Sequence, residues 1–263
     1  MKTFRVKRYD IVSPKIPAKK TLRMALLADQ HNVCFGEENE QLLRTLREEH
    51  PDVVLLAGDM ICRRELDAVQ GIERFLCRLA EEFPVYYGMG NHESYEVESG
   101  EAWYIEYERR LRKAGVICLH NRQTQVTIGS LTLHIAGLEL PLDCYRKPFP
   151  LHPSLYSLTK RIGDPAETGL NILIAHNPMF ADTYFQWGAD VIVSGHYHGG
   201  VLRFTEHCGA VSPQMRIFPR YCCGLFQKGK QYLVVSPGLG EHTVTMRIHN
   251  PRELILLTLK PAV

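Results

Sequence analysis

Long apolar runs are missing from this chain. Across its 263 residues no window approaches the roughly 18 consecutive apolar residues that a membrane-spanning helix needs. No transmembrane segment is expected, and a peripheral membrane contact stays open. Charge of one sign is missing too. Lys and Arg number 31 against 29 Asp and Glu, a net +2 with neutral His, which gives no clear nucleic-acid signature. The eight cysteines (Cys34, Cys62, Cys77, Cys118, Cys144, Cys208, Cys222 and Cys223) include no CxxC pair. Several lie in apolar segments, where a free thiol behaves as a small hydrophobe. The opening MKTFRVKRYDIVSPK is basic and alternating, without the apolar stretch of a signal peptide. Reduced thiols and a cytoplasmic location are the expectation. Repeats, low-complexity stretches and dividing linkers are absent, so residues 1–263 are expected to form a single domain. Apolar residues make up 45% and charged residues 23%, ordinary values for a chain with a core.

Short apolar runs are abundant. LRMALLA (22–28), VVLLA (53–57), VYYGM (85–89), ILIA (172–175), VIVS (191–194) and YLVV (232–235) predict strands buried on both faces. LTLHIAGL (131–138) and ELILLTL (253–259) predict further strands, and residues 4–12 an edge strand. Helical spacing places Leu42, Leu43 and Leu46 on one face of 38–49. It groups Val69, Ile72, Leu76 and Leu79, with Phe75 alongside, in 68–82, and Trp103, Tyr107 and Leu111 in 101–114. Strand–helix–strand order in the first half argues an α/β fold.

The chemistry lies at the carboxyl ends of the runs. LRMALLA ends in Asp29-Gln30-His31, VVLLA in Gly58-Asp59, and VYYGM in Gly90-Asn91-His92-Glu93. NILIA ends in His176-Asn177 and DVIVS in Gly195-His196-Tyr197-His198. Taken singly, each has an ordinary reading as a turn, a helix cap or a satisfied core histidine. Together, five strands deliver His, Asp or Asn at the end where open α/β sheets bind ligands. Packing alone does not ask for this. Asp29, His31, Asp59, Asn91, His176, His196 and His198 make seven N/O candidates and no thiolate, which argues against structural zinc. Seven ligands are too many for one ion with an open position and suit two ions sharing a carboxylate. Mixed imidazole and carboxylate donors fit Mn, Fe or Zn better than Mg.

The order D-x-H, G-D, G-N-H-E, H, G-H-x-H resembles that of the calcineurin-like metallophosphoesterases. HNVCFGEENEQLL (31–43), SGHYHGGVLR (194–203) and VVSPGLGEHTVTMRIHNPRELILLTL (234–259) are similar to the bacterial YkuE-like branch. The likeness runs from the first strand to the last. It implies a four-layer α/β/β/α sandwich of two mixed sheets flanked by helices. It implies that Asp29, His31 and His198 hold one metal, that Asn91, His176 and His196 hold a second, and that Asp59 bridges them. It further implies two divalent transition ions, with manganese favoured, and a metal-bridging water or hydroxide as nucleophile. His92 matches the residue that orients the phosphate or protonates the leaving group. Glu93 either orients His92 or has a plain solvent-facing or helix-start role. Gln30 and Tyr197 depart from the usual pattern at positions that are not ligands.

The implied activity is hydrolysis of a phosphodiester or pyrophosphate bond in a small phosphorylated substrate: a nucleotide, a nucleotide-sugar or a lipid head group. A broad phosphomonoesterase, a cyclic-nucleotide phosphodiesterase and a non-catalytic scaffold are the alternatives. A scaffold would be expected to lose ligands, and this chain keeps all seven and His92. Arg203 either reaches a substrate phosphate or makes a structural ion pair. In the Pro-rich segment 141–156, Tyr145, Arg146, Lys147 and Phe149 either clamp a substrate or cover a sheet edge. Arg63 and Arg64 come after Asp59 as solvated charges or as added positive field. Asn39 is a helix cap or a group behind the ligands.

Overall fold

The computed structural model describes residues 2–62, 66–241 and 246–262. In chain order the first half runs β1 (Arg5–Ser13), β2 (Leu22–Leu27), α1 (Glu40–Glu49), β3 (Val53–Ala57), α2 (Leu66–Glu82) and β4 (Val85–Gly88). It continues with α3 (Asn91–Ser99), α4 (Ala102–Ala114) and β5 (Ile117–Leu119). The second half runs β6 (Arg122–Ile128), β7 (Leu131–Leu138), α5 (Leu155–Ile162), β8 (Leu170–Ala175), α6 (Ala181–Trp187) and β9 (Val191–Ser194). It ends with β10 (Gly224–Lys228), β11 (Gln231–Val235) and β12 (Glu253–Pro261).

The strands form two six-stranded mixed sheets, ordered β1-β12-β2-β3-β4-β5 and β10-β11-β9-β8-β7-β6. β2 to β5 run parallel, and so do β7, β8, β9 and β11. β12 returns from the far end of the chain to lie between β1 and β2, antiparallel to β2.

The period-two alternation of side chains makes three apolar layers out of these runs. Met24, Leu26, Val53, Leu55, Ile172, Ile174, Val191 and Val193 point between the sheets and form one core. Their neighbours Ala25, Leu27, Val54 and Leu56 point outward onto Leu42, Leu46, Ile72, Leu76 and Leu79 of α1 and α2. Leu173 and Ile192 point out of the second sheet onto Leu158 of α5 and Tyr184 of α6. Helix, sheet, sheet and helix therefore stack as four layers, the architecture the resemblance implies.

Differences from the sequence reading have local causes. α3 carries no apolar periodicity, since its buried residues are Glu93, Ser94 and Glu96. β6 is a half-exposed edge strand of Arg, Gln and Thr. Segment 141–156 opens with a 3-10 turn, Leu142–Tyr145, and ends in α5, whose start is capped by Ser154 Oγ accepting from Ser157 N at 3.2 Å. On α4, Tyr107 and Leu111 are buried as the spacing predicts; Tyr104 is buried with them, and Trp103 packs at the margin.

The crossing from one sheet to the other comes after β5. His120 lies there between two carboxylates, Glu108 on α4 at 3.0 Å and Glu139 after β7 at 2.9 Å. Burial alone would lower its pKa, but the two partners override this and raise it to about 9. The folded-state value lies above the ordinary one, so the stability His120 contributes is full below about pH 6.5 and is lost as the pH rises through about 9. Urea unfolding of wild type and His120→Gln should show a gap of roughly 1–3 kcal/mol near pH 6. The gap should close in the alkaline range. A gap that does not change with pH would remove the charged clamp.

Candidate metal centre

The parallel strands of both sheets end at the same edge. β2, β3 and β4 deliver Asp29 and His31, Asp59, and Asn91 from the first sheet, while β8 and β9 deliver His176 and then His196 and His198 from the second. Three groups of side chains converge closely enough to share an ion: Asp29, His31 and His198; Asp59, His176 and His196; and His31, Asp59 and His92. His31 Nε2 lies 3.2 Å from His198 Nε2 and 3.8 Å from Asp59 Oδ2. His198 Nε2 lies 3.4 Å from Asp29 Oδ1, and His176 Nε2 lies 3.1 Å from Asp59 Oδ2.

The backbone is bent to achieve this. Asp29, His31, Asp59, His196 and His198 all have positive φ, between 46° and 68°. Non-glycine residues in this left-handed region are uncommon, cost of order 1 kcal/mol each, and concentrate at functional sites. Hydrogen bonds between the strand ends hold the turns. Asp29 N donates to Gly58 O at 2.9 Å, and His31 N to Asp59 O at 3.1 Å. His196 N donates across the sheets to both Asp29 oxygens at 3.0 Å. Glycine is required at positions 90 and 195, where a Cβ would overlap the carboxylates of Asp59 and Asp29.

Glu93 supports the first sheet's share of the site. Its buried carboxylate accepts from Asp59 N at 2.8 Å, Met60 N at 2.9 Å, Gly90 N at 2.9 Å and Tyr87 Oη at 2.6 Å. Its oxygens therefore serve the Asp59 turn and the start of α3. This is the helix-start role the sequence left open, enlarged, and full burial of Glu93 overturns the solvent-facing one. His92 N donates to Asp59 Oδ1 at 2.9 Å, and the His92 ring meets His31 edge-on.

The donor set fits divalent cations. His176 Nδ1 is 2.6 Å from Ala57 O, so its proton is committed there and Nε2 faces the carboxylates. Asn91 Oδ1 is buried with no hydrogen-bond partner among the described residues. Electrostatics point the same way. Burial pushes the Asp29 carboxyl up to about 7. Burial would lower His176, but Asp59 and then Asp29 raise it to about 10. Burial also works against Asp59, yet His176, then His92, hold it well below the usual carboxylate range. Two buried carboxylates among imidazoles form an environment that a divalent cation would suit.

The weaker candidates separate. The Tyr145 ring stands over His196 and His176, with centroids 5.1 and 6.3 Å away. Lys147 lines a cavity that contains His198. Arg146 is exposed and pairs with Asp143 at 3.0 Å, and Phe149 points to solvent. Arg203 is buried, and its guanidinium is occupied by Glu253, Thr205 O and Glu206 O at 2.9, 3.2 and 2.9 Å. Its ion-pair reading therefore stands over the phosphate-reaching one. Asn39 Oδ1 accepts from Phe35 N and Gln30 Nε2, both at 3.0 Å, and makes no helix-cap bond. It fixes the loop that comes after Asp29. Arg63 and Arg64 lie outside the described residues.

Sequence reasoning missed two groups beside His198. Arg247 donates to Pro237 O and Gly240 O, with Nη2 3.5 Å from His198 Nδ1. Burial, and Arg252 beside it, lower its pKa to about 10. Asn250 Nδ2 donates to His198 O at 2.5 Å and Gly200 O at 2.6 Å. Both lie in a segment that carries no ligand pattern of its own.

A family model described as calcineurin-like phosphoesterase matches residues 22–200. A zebrafish protein described as a transmembrane protein with a metallophosphoesterase domain is 27% identical over 96% of this chain and 57% of its own length. The uncharacterized metallophosphoesterase YkuE of Bacillus subtilis is 24% identical over 85% of this chain and 73% of its own. Among solved structures, a putative 5'-nucleotidase from Staphylococcus aureus superposes with a TM-score of 0.53 at 14% identity. That match covers 84% of this chain and 49% of that one. The chain thus spans little more than half of the zebrafish relative and about half of the nucleotidase.

Replacing Glu93 by Gln turns part of an acceptor-only group into a donor facing backbone N–H groups. The unfolding free energy in urea should fall by about 2–3 kcal/mol. Unchanged stability would mean that Glu93 does not organise the Asp59 turn.

Proposed function

The chain belongs to the calcineurin-like phosphoesterase family, and on that premise we propose that it is a metal-dependent hydrolase of phosphodiester or pyrophosphate bonds. In this reading Asp29, His31 and His198 hold one ion, Asn91, His176 and His196 hold a second, and Asp59 serves both. Manganese is the favoured metal, and iron and zinc suit the same donors. Bound ions supply Lewis-acid activation of water and neutralise charge on the phosphoryl oxygens. The remaining work falls to the chain. Asp29 and Asp59 keep their geometry through the backbone N–H groups of His196 and His92 that donate to them. His92 lies beside the cluster, where an imidazole can bind a phosphoryl oxygen or give a proton to the departing oxygen. The Tyr145 ring packs against the His176–His196 side.

The observation that carries the diester or pyrophosphate choice is a pair of cavities flanking the cluster. One, of about 230 Å³, includes His198, Tyr197, Lys147 and Arg247. The other, of about 360 Å³, includes Asn91, His92, Tyr95 and Tyr145. A phosphorus carrying two substituents has a place for each, whereas a monoester would leave one cavity unused. The substrate is then a small phosphorylated molecule such as a nucleotide, a nucleotide-sugar or a lipid head group. Among the described residues no helix is long and apolar enough to cross a membrane. A cytoplasmic site of action and a single domain over 1–263 belong to the same proposal.

The test is hydrolysis of a chromogenic phosphodiester and its matching monoester by chelator-stripped protein, with manganese restored. Manganese-dependent cleavage with the diester ahead is expected. A faster monoester would transfer the assignment to a phosphomonoesterase. Asp59→Asn should lose more than about 100-fold in turnover, since even groups behind a metal ligand cost 10- to 100-fold. Wild-type turnover and metal content in that variant would overturn the two-ion reading. His92→Ala should retain metal and lose about 100-fold or more, with the larger loss for poor leaving groups. Equal losses for good and poor leaving groups would leave His92 a phosphate-binding role alone.

A further inference from the structure

The cavity beside His198 opens onto apolar surface. Val201, Val211, Pro213, Met215 and Met246 wall it. At and beyond its rim, large apolar side chains face solvent: Phe204 is 55% exposed, Met215 70%, Ile217 72%, Phe218 58% and Met246 56%. They form one patch. The Phe204 and Phe218 rings lie 5.9 Å apart, Val211 bridges Ile217, and Met215 and Met246 share the cavity wall. Single exposed apolar residues are ordinary, whereas a contiguous patch at the mouth of a candidate site marks an interaction surface.

The charge around the patch selects the partner. From His207 to Cys223 the chain contains no acidic residue, and Ile217 and Phe218 stand between Arg216 and Arg220. Lys147 adds a cation at the cavity. Glu206, the nearest carboxylate in sequence, is held by Lys7 at 2.6 Å, and Arg220 reaches Asp182 at 3.1 Å. Apolar tips flanked by basic residues are the pattern of segments that sit in an anionic lipid interface. A second copy seated symmetrically on the patch would set Arg216 and Lys147 against their own equivalents, which like-charge repulsion opposes.

We propose that the patch formed by Phe204, Met215, Ile217, Phe218 and Met246 docks this protein on an anionic lipid bilayer, with the His198 cavity opening toward the membrane. The hydrolase reading gives this a consequence that rests on it. A phosphate ester bearing an apolar chain would leave the bilayer through the Val201–Met246 walls and meet the metal-ligand cluster at its His198 end.

Sedimentation of the metal-loaded full chain with vesicles tests the docking. Vesicles of phosphatidylcholine are compared with vesicles that also contain phosphatidylglycerol. Wild type should sediment with the anionic vesicles, and less so as salt is raised. The Ile217→Ser/Phe218→Ser variant changes only exposed side chains. Its vesicle affinity should fall by about tenfold or more, while its turnover of a water-soluble chromogenic diester stays at the wild-type value. Wild type that ignores anionic vesicles, or a double variant that binds them as well as wild type, would overturn the proposal. So would a wild-type dimer that the double variant breaks while neither binds vesicles, since the patch would then face a second copy. Vesicle binding by a protein inactive on the soluble diester would support docking and overturn only the hydrolase reading.

Discussion

Two carboxylates buried together set the terms for the rest of this molecule. Asp29 and Asp59 are almost fully buried, at the ends of adjacent parallel strands. Leaving two charges there would be prohibitive without compensation. The compensation arrives from every side. Backbone N–H groups of His196 and His92 donate to them, and imidazoles of His31, His176 and His198 surround them. Burial pushes the Asp29 carboxyl up, while His176 and then His92 hold Asp59 low against the same burial. The carboxylates and imidazoles also converge closely enough to share cations. Glycine stands at 90 and 195 because a Cβ there would overlap these carboxylates.

Backbone strain is the second cost. Five of the seven ligand candidates adopt positive φ, and none is a glycine that would do so freely. Such strain persists only where surrounding structure over-determines it. Here that structure is rigid. Three apolar layers fix both sheets, and the strand ends are tied across the sheets by His196 N to Asp29 and by His176 Nδ1 to Ala57. The closely packed Leu, Ile and Val runs therefore do more than stabilise the fold. They hold two sets of turns, from separate sheets, at distances near 3 to 4 Å.

This division between rigid strands and irregular loops decides how much of the molecule was legible in its sequence. Buried parallel strands must be apolar on both faces, so LRMALLA, VVLLA and VIVS announce themselves, and the residues that end them stand out by contrast. The four-layer arrangement needed the family resemblance, because periodicity says nothing about which strands share a sheet. α3 was not legible because its inward face is polar: Glu93 is buried to bind backbone, and no apolar stripe records that. Arg247 and Asn250 were not legible because they act by hydrogen bonds onto His198 and its neighbours from a distant part of the chain. Arg203, close to the GHxH turn in sequence, serves Glu253 instead of the site. Proximity along the chain identified the strand-end residues that converge in the cluster, and failed for groups placed by irregular loops.

The same contrast separates the two sides of the site. On the Asn91 side the cluster is bordered by ordered elements, α3 and the turn carrying Tyr145, and its cavity presents aromatic and polar groups. On the His198 side the walls come from irregular segments whose outward residues are large and apolar. A chain selected only to close a pocket would bury Ile217 and Phe218, since each exposed apolar side chain forfeits burial that a small rearrangement could supply. Their exposure beside Arg216 and Arg220 is the feature on which the docking proposal rests. An anionic interface would accommodate both kinds of side chain at once. On that proposal the sheets would present the ligand cluster, and the irregular loops would set the side from which a substrate arrives.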